Sequence, residues 1–252
     1  MTQLDQIQQF MQQVLGNDET GHGTDHIERV LALSNTILEH EPSADPFIVR
    51  AAALLHDTYD DKLFSDVVAA KQRVADFLNS IDVTKAQQTA IFYIIDNMSW
   101  SKSLDGAAPL DINGQIVQDA DRLEAIGAIA VARTIEYGVH AHHALYDPNI
   151  KPRHHMDKKE YRKGSSTAIN HFYEKLFLLK DYLNTDTAKK IGAGRHQFML
   201  DFVHQFEDEW QLKNKAKIKK VRYNVSYLFI LILLLSSSNP FVKVQIGYTL
   251  IQ

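Results

Sequence analysis

Asp45-Pro46-Phe47-Ile48-Val49-Arg50-Ala51-Ala52-Ala53-Leu54-Leu55-His56-Asp57 is the stretch that decides the fold. Asp followed by Pro is a helix start. The carboxylate accepts from the open N–H groups of a first turn, and Pro46 is preorganised for that turn. From Phe47 to Leu55 only Arg50 is polar, so this helix has almost no solvent face and belongs inside the molecule. Its far end carries an imidazole and a carboxylate, His56 and Asp57, with Asp60 and Asp61 just beyond. Neighbouring residues on a helix point about 100° apart. At a terminus the chain is turning away, and there two such side chains can converge.

Working outward, the flanking segments repeat apolar residues at helical spacing. Leu4, Ile7, Met11, Val14 and Leu15 predict an amphipathic helix ending at Gly16-Asn17. Gly21-His22-Gly23 reads as a loop, and Thr24 or Asp25 as the cap of the next helix. That helix turns Ile27, Val30, Leu31, Ile37 and Leu38 inward and carries His26 in its first turn. Further helices are predicted over 65–80 and 84–98, then a loop from Ser99 to Gly114. A single long helix is expected from about Asn113 to Gly138 through Ile116, Val117, Ala120, Leu123, Ile126, Ile129 and Ile135, its apolar face interrupted by Asp119, Asp121 and Arg122. A polar loop from His140 to about Gly164 precedes two last helices, 166–183 and 186–210. No alternating run long enough for a sheet appears before residue 220, so the fold class is all-α, a helical bundle.

Composition narrows the function. The 252 residues are 45% hydrophobic and 23% charged, ordinary for a globular protein with a substantial core. A net charge of -4 gives no global basic field, so nucleic acid is not an expected partner. The absence of cysteine excludes disulfides, thiolate metal sites and a cysteine nucleophile. Met1-Thr2-Gln3-Leu4-Asp5-Gln6 is not a secretory signal, and a cytoplasmic protein is the expectation. Residues 1–210 read as one domain and 211–252 as a basic, then apolar, C-terminal extension. Its run from Val225 to Leu235 falls short of the roughly 17–25 residues that span a bilayer, so an extension that packs locally or stays disordered is expected rather than membrane contact.

His26 opens one helix, His56 and Asp57 close a second, and Asp121 sits inside a third. A carboxylate on an apolar face is costly unless paired with a cation, for which Arg122 is the local alternative to a metal. Packed helices build metal sites from such inward side chains. Two imidazoles and two carboxylates suit Mn²⁺ best, with Fe²⁺, Co²⁺ and Ni²⁺ as alternatives and Mg²⁺ less at home on imidazole. An octahedral ion so held keeps two positions open.

These four residues reproduce an H…HD…D pattern, and the chain resembles the HD-domain metal-dependent phosphohydrolases. Gln118-Asp119-Ala120-Asp121-Arg122-Leu123, Ala125-Ile126-Gly127 and His171-Phe172-Tyr173-Glu174-Lys175-Leu176 are similar to a branch of small stand-alone bacterial HD proteins, over about residues 1–210. The resemblance implies that His26, His56, Asp57 and Asp121 are the metal ligands. It implies a nucleotide or similar phosphate compound as substrate, with release of pyrophosphate from (d)NTPs among the activities of relatives. His56-Asp57-Thr58-Tyr59-Asp60-Asp61 is similar to the HDxxED motif of alarmone hydrolases, with Asp60 one methylene shorter than Glu. By that likeness Asp60 and Asp61 orient or deprotonate the attacking water, which the metal activates against a phosphoryl centre. Lys62, Arg122, Lys175 and Arg195 are the basic residues expected to hold substrate phosphates. His140, His142, His143, His154 and His155 lie in a Pro-punctuated, Lys/Arg-rich segment, which argues for a loop near the site mouth over a second metal centre. The competing reading is a non-catalytic helical protein that senses a nucleotide, against which the intact ligand set argues. The apolar aromatic stripe of the last helices is compatible with a homodimer.

Overall fold

The computed structural model describes residues 1–16, 23–104, 106, 108–154 and 166–212. Two compact units divide the chain, Met1–Glu207 and Asp208–Gln252. Of the latter, the described residues 208–212 are the end of the last helix and its exit turn. The apolar run of the predicted extension lies outside the described residues, among which no helix is long and apolar enough to cross a membrane.

The first unit is all helical, with no strand among the described residues. Its helices are α1 (Gln3–Leu15), α2 (Thr24–Leu38), α3 (Pro46–Leu55), α4 (Val67–Ser80), α5 (Lys85–Met98), α6 (Trp100–Leu104), α7 (Ile112–Glu124), α8 (Ala128–His140), α9 (Ala168–His171) and α10 (Asp186–Trp210). Helix α3 is the axis. Asp45 caps it by accepting from the Phe47 and Ile48 N–H groups at 2.8 and 3.2 Å, with Pro46 in the first turn. Val49 and Ala51 to Leu55 are all buried. Helices α1, α2, α5 and α7 pack around it. The alanines keep α3 thin, so its neighbours approach closely and the residues at its end are held by packing from several sides.

The structure departs from the expected helices in four places. Helix α2 is capped by Gly23 with no side-chain cap, because Asp25 turns its carboxylate to Arg29 at 2.8 Å. The segment 99–114 is not wholly loop, since α6 occupies part of it. The long helix predicted over 113–138 is two helices. Gly127 takes φ +99°, a backbone setting that a side chain strains, and the Arg195 stem packs within 3.1–3.3 Å of where a Cβ would stand. The helix stops at Glu124 and a new one starts at Ala128, so α8 does not continue α7. The helix predicted over 166–183 is also irregular: after α9, residues Phe172–Leu176 form a π-helical turn and Leu179–Tyr182 a 3₁₀ turn.

Candidate metal centre

Helix α3 ends at Leu55, and the next residues fold into a tight turn in which the Thr58 N–H and hydroxyl both donate to the Leu55 carbonyl, at 3.0 and 2.6 Å. This turn points His56 and Asp57 the same way. His26, in the first turn of α2, and Asp121, near the end of α7, meet them from two other directions. His26 Nε2 lies 3.2 Å from His56 Nε2, 3.5 Å from Asp57 Oδ2 and 3.7 Å from Asp121 Oδ1. His56 Nε2 lies 3.4 Å from Asp57 Oδ2 and 3.9 Å from Asp121 Oδ1. The predicted ligands are thus brought together.

Hydrogen bonding at the back of each ring fixes what faces the centre. His56 Nδ1 lies 2.9 Å from the Ala53 carbonyl, which only accepts, so Nδ1 carries the proton and Nε2 a lone pair. His26 Nδ1 lies 2.9 Å from Glu124 Oε2, a carboxylate that also only accepts, and the same tautomer follows. Arg133 Nη1 is 3.4 Å from that Nδ1, but its nearer partner is Glu124. The Nε2 atoms of two imidazoles and one Asp57 oxygen therefore face one spot, with Asp121 at its rim. With bonds of about 2.1 Å, donor atoms sit about 3.0 Å apart on an octahedral edge and about 3.4 Å apart on a tetrahedral one. The 3.2–3.5 Å separations among His26, His56 and Asp57 lie close to these values, and the three form a compact candidate metal group, with Asp121 Oδ1 farther out at 3.7 and 3.9 Å from the two rings. Burial opposes charge on His56, yet the carboxylates of Asp57 and Asp121 prevail and hold its pKa above the ordinary imidazole range. The site attracts positive charge.

His26, His56 and Asp57 are buried, whereas the Asp121 side chain is 31% exposed, so the centre opens to solvent beside Asp121. Lys175, from the π-helical turn, is partly buried there. Burial and the nearby Lys62 cation lower its ammonium to about 8, opposed by the Asp121 carboxylate. Lys62 and Asp61 are exposed on the loop after α3. Asp60 is half-buried, and its Oδ1 accepts from the Lys62 N–H at 2.8 Å, so one carboxylate oxygen organises the loop that carries it. Arg122 and Arg195 are engaged with the frame. Arg122 donates to the Tyr182 carbonyl and lines a cavity of about 440 Å³ with Leu110, Gln118 and Tyr182. Arg195 donates to the Leu123 carbonyl at 2.5 Å, closing the end of α7. No second metal-binding group forms among the described residues: His140, His142, His143 and His154 do not assemble one, and His155 lies outside them.

Sequence reading missed Glu124. It is 2% exposed, accepts from Arg29 Nε and Nη2 at 2.8 Å each and from Arg133 Nη1, and holds His26 from behind. Burial raises its pKa, but His26, Arg133 and Arg29 more than offset that and keep it below the ordinary glutamate range. The available signal was its place three residues after Asp121, on the same helix face. Tyr59 was missed too. Its buried hydroxyl donates to Asp96 at 3.2 Å, Asp96 pairs with Lys71, and the His56–Asp61 loop is thereby tied to α5.

A family model for the HD domain matches residues 23–126, a span that holds His26, His56, Asp57 and Asp121. The chain is 38% identical over 210 residues to YpgQ of Bacillus subtilis, covering 83% of this chain and 94% of that protein. A crystal structure of a Lactobacillus plantarum protein shares 48% identity over 83% of this chain and 97% of its own, with a TM-score of 0.77. An HD-superfamily hydrolase from Bacillus thuringiensis matches at 35% identity over 82% of this chain and 96% of its own, TM-score 0.64. YpgQ in complex with ADP matches at 34% identity over 82% and 97%, TM-score 0.65. This helical chain, with its H…HD…D residues gathered at one point, belongs to the HD-domain superfamily of hydrolases.

Proposed function

We propose that this protein is a divalent-cation-dependent phosphohydrolase acting on a nucleotide, with pyrophosphate release from (d)NTPs as the favoured reaction and Mn²⁺ as the favoured cation. The observation that carries the reading is the convergence of four electron-pair donors whose imidazole tautomers are both fixed toward the centre. The ADP complex of YpgQ supports a nucleotide as the ligand class. A cation at this point would supply Lewis-acid polarisation of a phosphoryl oxygen and acidify the attacking water. The protein's own groups do the remaining work. Asp121, on the open side, marks the edge by which substrate enters. Lys175 and Lys62 border that edge and take substrate phosphates. Lys175 sits in low dielectric, where its charge counts for more against an anion. Asp61, exposed, and the second oxygen of Asp60 take the proton from water. Arg122 and Arg195, whose guanidinium groups serve backbone carbonyls, act in this scheme by holding α7, and with it Asp121, in place.

The test is release of phosphate and pyrophosphate from a panel of nucleoside mono-, di- and triphosphates by Mn²⁺-loaded protein. Asp57→Ala is expected to lower turnover by on the order of a thousandfold, about 4 kcal/mol of transition-state stabilisation. No hydrolysis by the wild type across the panel, or equal hydrolysis by the variant, defeats the proposal.

A further inference from the structure

Glu124 is the buried charge that the reaction scheme above leaves without a task. It stands on α7, three residues from Asp121, with its side chain 2% exposed. Three groups converge on its two oxygens. Arg29, from α2, donates to Oε1 through Nε and Nη2 at 2.8 Å each. Arg133, from α8, donates to Oε2. His26 Nδ1 donates to the same Oε2 at 2.9 Å. Asp25 accepts from Arg29 Nη1 at 2.8 Å on the outer side. The carboxylate is thus gripped by a fork from one side and a single donor from another, and its direction toward the ring is not free to change.

The other ring nitrogen of His26 is the one 3.2 Å from His56 Nε2. A neutral imidazole carries one N–H, and whichever nitrogen has the better acceptor keeps it. If Nε2 carried the proton, it would face a cation with a hydrogen, and His26 would be lost as a donor. Behind His56 a main-chain carbonyl does this work. Behind His26 a side-chain carboxylate, that of Glu124, does it.

We propose that Glu124 is a positioning residue for the metal centre: held by Arg29 and Arg133, it selects the Nδ1-protonated tautomer of His26 and so makes Nε2 a ligand. The inference rests on the four-ligand reading and adds to it a residue outside the H…HD…D pattern. Because α7 carries this carboxylate and α2 and α8 send their residues to it, the rotamer of His26 depends on the mutual packing of three helices.

The experiment uses the full-length protein, wild type, Glu124→Ala and Glu124→Gln, freed of metal. Side-chain ¹⁵N–¹H correlation spectra report which ring nitrogen of His26 carries the proton. Mn²⁺ affinity is then read by electron paramagnetic resonance titration, and folding by circular dichroism. Wild type is expected Nδ1-protonated. Glu124→Ala is expected to shift His26 to a mixture of tautomers and to weaken Mn²⁺ binding by about 10–100-fold. In Glu124→Gln the carboxamide oxygen still accepts from Nδ1, so the tautomer and most of the affinity are expected to return. Wild type with the proton on Nε2, or a folded Glu124→Ala that binds Mn²⁺ as tightly as wild type, overturns the inference while leaving the metal centre standing. Wild type that binds no Mn²⁺ overturns both.

Discussion

Asp119 offers a severe test of how the molecule keeps its ligand-bearing helix in place. It lies on α7 with no solvent exposure, and its carboxylate accepts four hydrogen bonds from the turn before α10. The donors are the Asn184 N–H and side-chain amide, both at 2.8 Å, and the Thr185 N–H and hydroxyl at 2.7 and 2.8 Å. In Asp119→Ala the Asn184 side chain can still donate to Gln118 Oε1, 3.0 Å away, and the Thr185 hydroxyl can rotate. The two main-chain N–H groups cannot. Each stranded buried donor costs about 1–3 kcal/mol. Against this stands relief from a buried charge: burial holds the Asp119 carboxyl above the ordinary range despite its four donors. The net expectation is a loss of about 3 kcal/mol, one to two donors' worth after that relief. For a domain of this size that lowers the melting temperature by roughly 6–12 °C. Urea unfolding followed by circular dichroism measures the first figure and a thermal scan the second. A loss below about 1 kcal/mol would refute the view that these donors have nowhere else to turn.

Three further outcomes follow from the same coordinates. Glu174, 4% exposed, would be raised by burial, but Arg153 and Ser166 outweigh that and hold its pKa below the ordinary 4.5. Its stabilising contribution is therefore complete above that value and fades as pH falls through the lowered one. Glu174→Gln should cost about 2 kcal/mol at pH 7, with the gap to wild type closing in acid; a gap independent of pH in denaturant titrations would contradict the pairing. Gly127→Ala puts a Cβ at φ +99°, against the Arg195 stem, and should cost about 1–3 kcal/mol by the same titrations; an unchanged midpoint would mean that the α7–α8 break does not need glycine. For Asp57→Ala, besides the loss of turnover, Mn²⁺ should no longer raise the melting temperature, as a cation that binds the folded chain alone must do in wild type.

How much of this could be read from the sequence depends on how local each determinant is. Asp45-Pro46 and the apolar run after it fix α3 because capping and burial are written in adjacent residues. The candidate ligands were legible because each is a polar residue at an odd place: a helix end, a first turn, an apolar face. Glu124 had no such mark. A glutamate at the end of a helix looks like an ordinary surface residue, and only the rotation of α7 against α2 turns it inward to Arg29. The break at Gly127 was hidden by Ile126, Ile129 and Ile135, which keep helical period across it. The π-helical turn is invisible for a related reason. Its signature, the Phe177 N–H donating to the Phe172 carbonyl at 2.8 Å, changes the phase of a helix without changing its composition. Yet that phase shift lies where Lys175 is placed beside Asp121.

The departures from regular helix thus collect around the centre, and there is a physical reason. Asp57 and Asp121, two carboxylates within 3.4–3.9 Å of His56 Nε2, repel one another as like charges. Regular helices acting alone would relax that repulsion by small rotations. What prevents it is that each donor is pinned by a contact on its far side: His56 to the Ala53 carbonyl, His26 to Glu124, and α7 to the Asn184–Thr185 turn through Asp119. The turn after Leu55, the helix break at Gly127 and the turn at Asn184 bring those far-side contacts into line. A site that must gather like charges can be built only where the surrounding structure over-determines each member. The buried polar residues of this chain are therefore concentrated in α7 and its partners, whereas α3, which has only to fill space and stop, is almost wholly apolar.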